Sequence, residues 1–221
     1  MVLDDLEKLQ NKYQINGVNL YDSLFFVNVK RAKAILMGII DRGLTLRLGN
    51  VDGRAKQLAE ADDELWELLR ESRTYSILCG AESGDQESLD VIDKDMDVED
   101  NYKFAEKCRK YGIKVIFSTL VGIPILNHTH QELEKKTDGQ ISSTIKMLDE
   151  FLSFDSRNRG QMFIYMPYPG TPLYDTAVKL GFQEPKELEG WAHMKLYDKQ
   201  TPWVTPEQAQ MVSMISSYIF M

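Results

Sequence analysis

The chain has 221 residues, 43% of them hydrophobic and 27% charged, which is enough for one full core and is the make-up of an ordinary globular protein. With 34 acidic against 26 basic side chains its net charge is −8, which counts against a nucleic-acid backbone or an anionic membrane surface as the main partner. Two cysteines form no disulfide framework, and MVLDDLEKLQ lacks the basic start and apolar stretch of a secretion signal, so a cytoplasmic protein is expected.

Leu3, Leu6, Leu9 and Tyr13 fall about one helical turn apart and predict a helix over residues 2–14. GVNLYDSLF reads as a short strand and loop. Asn28 is placed to cap a helix that ends at Gly43. LTLRLGNV alternates as a strand does, and Asp62, with Asp63 and Glu64 behind it, opens the next helix. TYSILCGA is a third strand. Residues 86–112 predict one broken helix or two, the second capped by Asp97 and stopped by Gly112. IKVIFSTLVGIP is a buried strand, followed by a helix near 140–154, the strand QMFIYM and the turn-rich PYPGTP. After about residue 184 the pattern breaks, until a last helix begins at Thr205, Pro206 and Glu207.

Five strands separated by helices imply βαβ units and a parallel sheet, an α/β fold. The expected division is a sheet domain over 1–184 and an extension over 185–221 packed upon it. In such sheets ligands bind at the carboxyl ends of strands. NVDGR, GAESG, VGIP and YMPYPGTP all lie at those ends.

GAESG raises the sharpest question, because a carboxylate at the end of a buried strand is costly unless something pairs with it. Gly80 and Gly84 permit close backbone approach. Glu82 can accept hydrogen bonds from a vicinal diol or attract a cation, and Ser83 adds a hydroxyl. The plain alternative is a strand-to-helix turn in which Glu82 pairs with Arg47 or Arg54. In PYPGTP, Pro167, Pro169 and Pro172 stiffen a turn that Gly170 permits, with Thr171 as a helix cap. His128 and His130 have a spacing that metal-dependent barrel hydrolases use, but they fall in a polar segment and read as a solvated loop. Cys79 and Cys108 read as buried thiols without metal-ligand spacing. Trp66, Trp191, Trp203 and the methionines at 194, 211, 214 and 221 read as packing.

The order GLTLRLGNVDGRA, YSILCGAESGDQESLDVIDKDM, AEKCRKYGIKVIFSTLVGIP and YMPYPGTPLYDTAVKLGF resembles the radical S-adenosylmethionine superfamily, in its cobalamin-binding branch, over about residues 2–190. The resemblance implies a partial parallel (β/α) barrel of about five strands, the second to sixth units of a (β/α)6 core. It implies that Glu82, Ser83 and Gly84, beside Gly80, line the ribose and amino-acid side of an S-adenosylmethionine site. Gly122, Ile123 and Pro124 would lie near the adenine, with Asn50 and Arg54 in the same pocket. Tyr165, Pro167, Tyr168, Gly170 and Thr171 would border a small-molecule substrate.

The family's 4Fe–4S cluster is held by a C-x3-C-x2-C loop, which these residues do not contain, nor do they contain a cobalamin domain. The expected function is therefore that of a fragment of such an enzyme, whose parent performs methyl transfer, cyclisation or rearrangement. Alone it should be inactive, with weak or no cofactor binding. A missing first strand would leave an open sheet edge and favour self-association. A cluster-free binding module is the alternative, and a hydrolase built on His128 and His130 is a third.

Overall fold

The computed structural model describes residues 1–194 and 201–216. Residues 195–200, within the irregular stretch after residue 184, and residues 217–221, Met221 among them, lie outside the described residues. The chain is α/β, with parallel pairing of β1 (Gly17–Asn19) to β2 (Arg47–Gly49) and of β3 (Val51–Gly53) to β4 (Ser76–Glu82). With β5 (Lys114–Val121) and β6 (Arg159–Ile164), β3 and β4 form a four-stranded sheet in the order β3-β4-β5-β6. The predicted strand LTLRLGNV is divided into β2 and β3 because Asn50 turns left-handed, at φ +49°.

The predicted helices are present at α1 (Val2–Tyr13), α2 (Val29–Asp41), α4 (Asp63–Glu71), α5 (Gln86–Ile92), α6 (Val98–Tyr111) and α10 (Pro206–Met214), and a short α3 (Ala55–Glu60) precedes α4. Their starts follow side-chain chemistry. Asn28 accepts the Arg31 amide at 3.0 Å, and Asp62 accepts that of Leu65 at 2.9 Å. Thr205 and Gln208 form a reciprocal capping box. The helix after β5 is much longer than its apolar periodicity suggests. This α7 runs from His130 to Phe154, 25 residues, and takes in the polar stretch that reads as loop. Two short helices, α8 (Tyr174–Lys179) and α9 (Leu188–Ala192), follow β6.

The contacts divide the chain into two compact units. The first comprises Met1–Gly80, Glu99–Phe117 and Phe151–Asn158. Its core is aromatic: Trp66 stacks on Tyr111 at 5.5 Å between ring centroids, and Phe117 stacks on Phe151 at 4.5 Å. The buried Asn158 ties this core to the backbone, accepting from the Val115 amide and donating to the Phe151 carbonyl, each at 2.8 Å. Cys79 and Cys108 are buried here, as read from the sequence.

The second unit comprises Ala81–Val98, Ser118–Glu150 and the chain from Arg159 onward. It is organised around α7. A β-carbon on Gly84 would lie 2.6 Å from the Ser143 carbonyl oxygen and 2.8 Å from the Thr144 Cα, and the Gly84 amide donates to Thr144 Oγ1 at 3.1 Å. Gly84 is therefore required for helix contact whatever else it does. Gly84→Ala is expected to cost about 1–3 kcal/mol by overpacking, measurable as a lower urea midpoint with an unchanged m-value.

Candidate functional site at the strand ends of the second unit

Glu82 closes β4 in the left-handed region, at φ +59°. Its side chain is only 18% exposed, and its carboxylate is held by Lys94, with Nζ 3.1 Å from Oε1. The partner is thus neither of the arginines suggested by the sequence. Lys94 stands after α5 between two further left-handed residues, Asp93 and Asp95, at φ +50° and +48°. Backbone strain of this kind collects where geometry is set by function. Lys94 is the residue that sequence reasoning missed, and its signal was a single cation inside the acidic run IDKDMD.

Ser83 is fully buried, and its amide reaches back to the Ala81 carbonyl at 2.7 Å. Its Oγ accepts the Asp85 amide at 3.1 Å, and Asp85 in turn caps α5 through Ser88. In this arrangement Ser83 shapes the turn, Gly84 admits α7, and Glu82 presents the one charged group of the motif.

At the end of β5, Gly122 turns at φ +73°. The buried Gln140 of α7 accepts the Gly122 and Ile123 amides on one oxygen, at 2.7 and 3.0 Å, and returns a hydrogen bond to the Ile123 carbonyl at 3.2 Å. The Trp203 indole donates to the Gly122 carbonyl at 3.0 Å. Gly122, Ile123 and Pro124 are all buried, so side-chain surface, not free amide, is what this corner presents.

After β6, Tyr165 pairs its amide with the Val121 carbonyl at 2.8 Å. Its hydroxyl is buried without a hydrogen-bond partner. Burial pushes the Tyr165 phenol up, so the group is a neutral donor. Pro167 is buried, while Tyr168, Gly170 and Thr171 are exposed. Thr171 does not cap a helix: its hydroxyl donates to the Tyr168 carbonyl at 2.7 Å, and α8 opens at Tyr174. Tyr168 stacks on Trp191 at 6.2 Å.

Gly80, Asn50 and Arg54 belong to the first unit. The Asn50 amide donates to Ser76 Oγ at 2.9 Å, and Arg54 is exposed at the start of α3 without a side-chain cap. The neighbouring Asp52 is half-buried, and burial, with Asp22 nearby, raises its carboxyl.

The thiols do not fit an iron–sulfur cluster. Cys79 and Cys108 are both buried, and burial pushes the Cys108 thiol well up, away from the thiolate that a metal needs. His128 and His130 are separately engaged by the carbonyls of Leu126 and Leu180, at 3.1 and 2.7 Å, and His130 is the first residue of α7.

No protein-family model matches the chain. It is 25% identical over 177 residues, 80% of its length, to an uncharacterized methyltransferase of Pyrococcus horikoshii, of which it covers 35%. It is 26% identical over 174 residues, 78% of its length, to the anaerobic magnesium-protoporphyrin IX monomethyl ester cyclase of Cereibacter sphaeroides, of which it covers 26%. Among solved structures, it matches the radical S-adenosylmethionine methyltransferase TsrM of Kitasatospora setae, bound to cobalamin and a 4Fe–4S cluster, with a TM-score of 0.60 at 21% identity. That match covers 80% of this chain and 33% of TsrM. The chain thus spans about a third or less of the relatives that it matches in sequence. The resemblance to the radical S-adenosylmethionine superfamily is borne out by these relatives, and the α/β fold with parallel strands is similar to that of radical S-adenosylmethionine enzyme cores.

Proposed function

We propose that the chain supplies one side of the S-adenosylmethionine site of a cobalamin-type radical S-adenosylmethionine enzyme, within a partial parallel (β/α) barrel. The observation that carries this reading is the Glu82–Lys94 pair at the end of β4. S-Adenosylmethionine offers a ribose diol, a sulfonium, an ammonium and a carboxylate. A carboxylate and an ammonium held together at a strand end can exchange their mutual contact for those groups, Glu82 accepting from the diol and Lys94 meeting the carboxylate. Ile123 and Pro124 would give the adenine an apolar wall, and the Tyr165 hydroxyl, lacking a partner, would donate on the substrate side.

The cluster that drives cofactor cleavage in the family requires ligands that Cys79 and Cys108 do not provide. We therefore read these residues as binding and orienting the cofactor, and the chain by itself as catalytically inert. The whole enzyme would carry out methyl transfer, cyclisation or rearrangement.

Calorimetric titration tests the reading. S-Adenosylmethionine should bind saturably but weakly, with a Kd of about 1 mM, near 4 kcal/mol. Glu82→Gln should lose about tenfold or more of that affinity, roughly 1.4 kcal/mol, with an unchanged melting temperature. Wild-type affinity in Glu82→Gln would count against it.

A further inference from the structure

The first unit contains a cationic hollow that the reading above does not use. A cavity of about 460 Å³ is lined by Asn16, Gly17, Thr45, Arg47 and Arg73. A neighbouring one of about 220 Å³ shares Gly17 and Arg47 and reaches Tyr75. Arg47 begins β2, Gly17 begins β1 and Arg73 precedes β4, so the larger cavity lies at the amino-terminal ends of these strands, and the smaller one continues along β1 and β2 to Asn19 and Gly49. Glu82 ends β4 and belongs to the second unit.

The chain is acidic, and four of its other arginines meet carboxylates. Arg31 pairs with Asp22, Arg42 with Asp4 and Glu7, Arg70 with Glu67, and Arg157 with Asp155. Arg47 and Arg73 pair with no carboxylate among the described residues. Arg47 instead lies over the Tyr75 ring, 5.7 Å from its centroid, and Lys114 Nζ lies 5.9 Å from the same centroid. Two guanidiniums that share one concavity without a counter-ion repel each other. In a protein of net charge −8 carboxylates are not scarce, so their absence here is informative.

The backbone adds an independent observation. Arg73 follows the end of α4 at φ +63°, with Arg73 and Thr74 donating to the carbonyls of Arg70 and Leu69 at 3.1 and 2.9 Å. That is the helix-terminating position usually taken by glycine. A long cationic residue is therefore kept where the backbone disfavours any side chain, and it is one of the residues around the cavity.

We propose that this hollow binds a phosphate-bearing anion. Arg47 and Arg73 supply planar donor forks that match phosphate oxygens, and the Asn16 amide is a further donor. The site is independent of the cofactor reading and can stand or fall without it.

Calorimetric titration with pyrophosphate at low ionic strength is the test, with inorganic phosphate and citrate as comparison arms. Pyrophosphate should bind saturably, inorganic phosphate more weakly, and citrate at least tenfold more weakly than pyrophosphate. Arg47→Ala and Arg73→Gly should each weaken pyrophosphate binding at least tenfold. Arg73→Gly should also raise the melting temperature, because it relieves the left-handed backbone while removing the ligand contact. A purely structural arginine would not trade stability against affinity in that way. The proposal is overturned if pyrophosphate does not bind saturably, or if citrate binds as well. It is equally overturned if Arg73→Gly binds like wild type or melts lower.

Discussion

Replacing Trp203 by alanine should destabilise the second unit by about 3–5 kcal/mol, the cost of emptying a fully buried large aromatic site. Trp203 has no exposed surface, and its indole N–H is spent on the Gly122 carbonyl at 3.0 Å. The next residue closes the same corner: a β-carbon on Gly122 would lie 2.8 Å from Val204 Cγ2. Alanine therefore removes the ring contacts and leaves a buried carbonyl unpaired. Trp203→Phe separates the two effects, since it keeps most of the ring but loses the donor, and should cost about 1–3 kcal/mol. Urea denaturation followed by circular dichroism measures both. An alanine variant within 1 kcal/mol of wild type, on the order of a surface substitution, would show that the segment does not seal the end of β5.

The second large effect is expected at Gln140. One buried side chain satisfies the Gly122 and Ile123 amides and the Ile123 carbonyl. Leucine fills nearly the same volume but leaves three buried backbone groups unpaired, each costing about 1–3 kcal/mol. Gln140→Leu is therefore expected to lose about 3–5 kcal/mol, the lower part of that sum, because water will reach some of the freed groups. Hydrogen exchange gives the local readout. The Gly122 and Ile123 amides should exchange far faster in the variant, and unchanged protection there would refute the network.

These two residues also show where sequence reading stops. Trp203 reads as packing, which it is, but nothing in its neighbourhood names Gly122 as the acceptor of its N–H. Gln140 stands at the very start of the helix expected near 140–154, just behind a polar stretch, so nothing in its neighbourhood marks it as buried. Its burial depends on contact with β5, a tertiary fact. The local signals were legible where a side chain acts on its own backbone: Asn28, Asp62 and Thr205 start helices where their chemistry says they should. They failed where a backbone turn competes. Asn50 breaks a strand that alternates without interruption, and Thr171 spends its hydroxyl on a turn in place of a cap.

For the candidate site, the position of Glu82 at a strand end was legible from the change of character between SILCGA and the helix behind it. Its partner was not. Lys94 lies twelve positions further along, and only the length of α5 and two left-handed aspartates bring its ammonium back to the carboxylate. The motif's other two residues acquired a plain structural explanation, Ser83 in the turn and Gly84 against α7. That narrows the functional claim to the charged pair.

The most direct measurement is therefore amide chemical-shift mapping of the 15N-labelled chain during titration with S-adenosylmethionine. The largest saturable shifts should fall on Glu82, Ser83 and Lys94, with smaller ones at Ile123 and Tyr165, and all of them should collapse in a Glu82→Gln, Lys94→Met double variant. Shifts that leave residues 82–94 untouched, or that persist in the double variant, would contradict the assignment of this strand end to the cofactor.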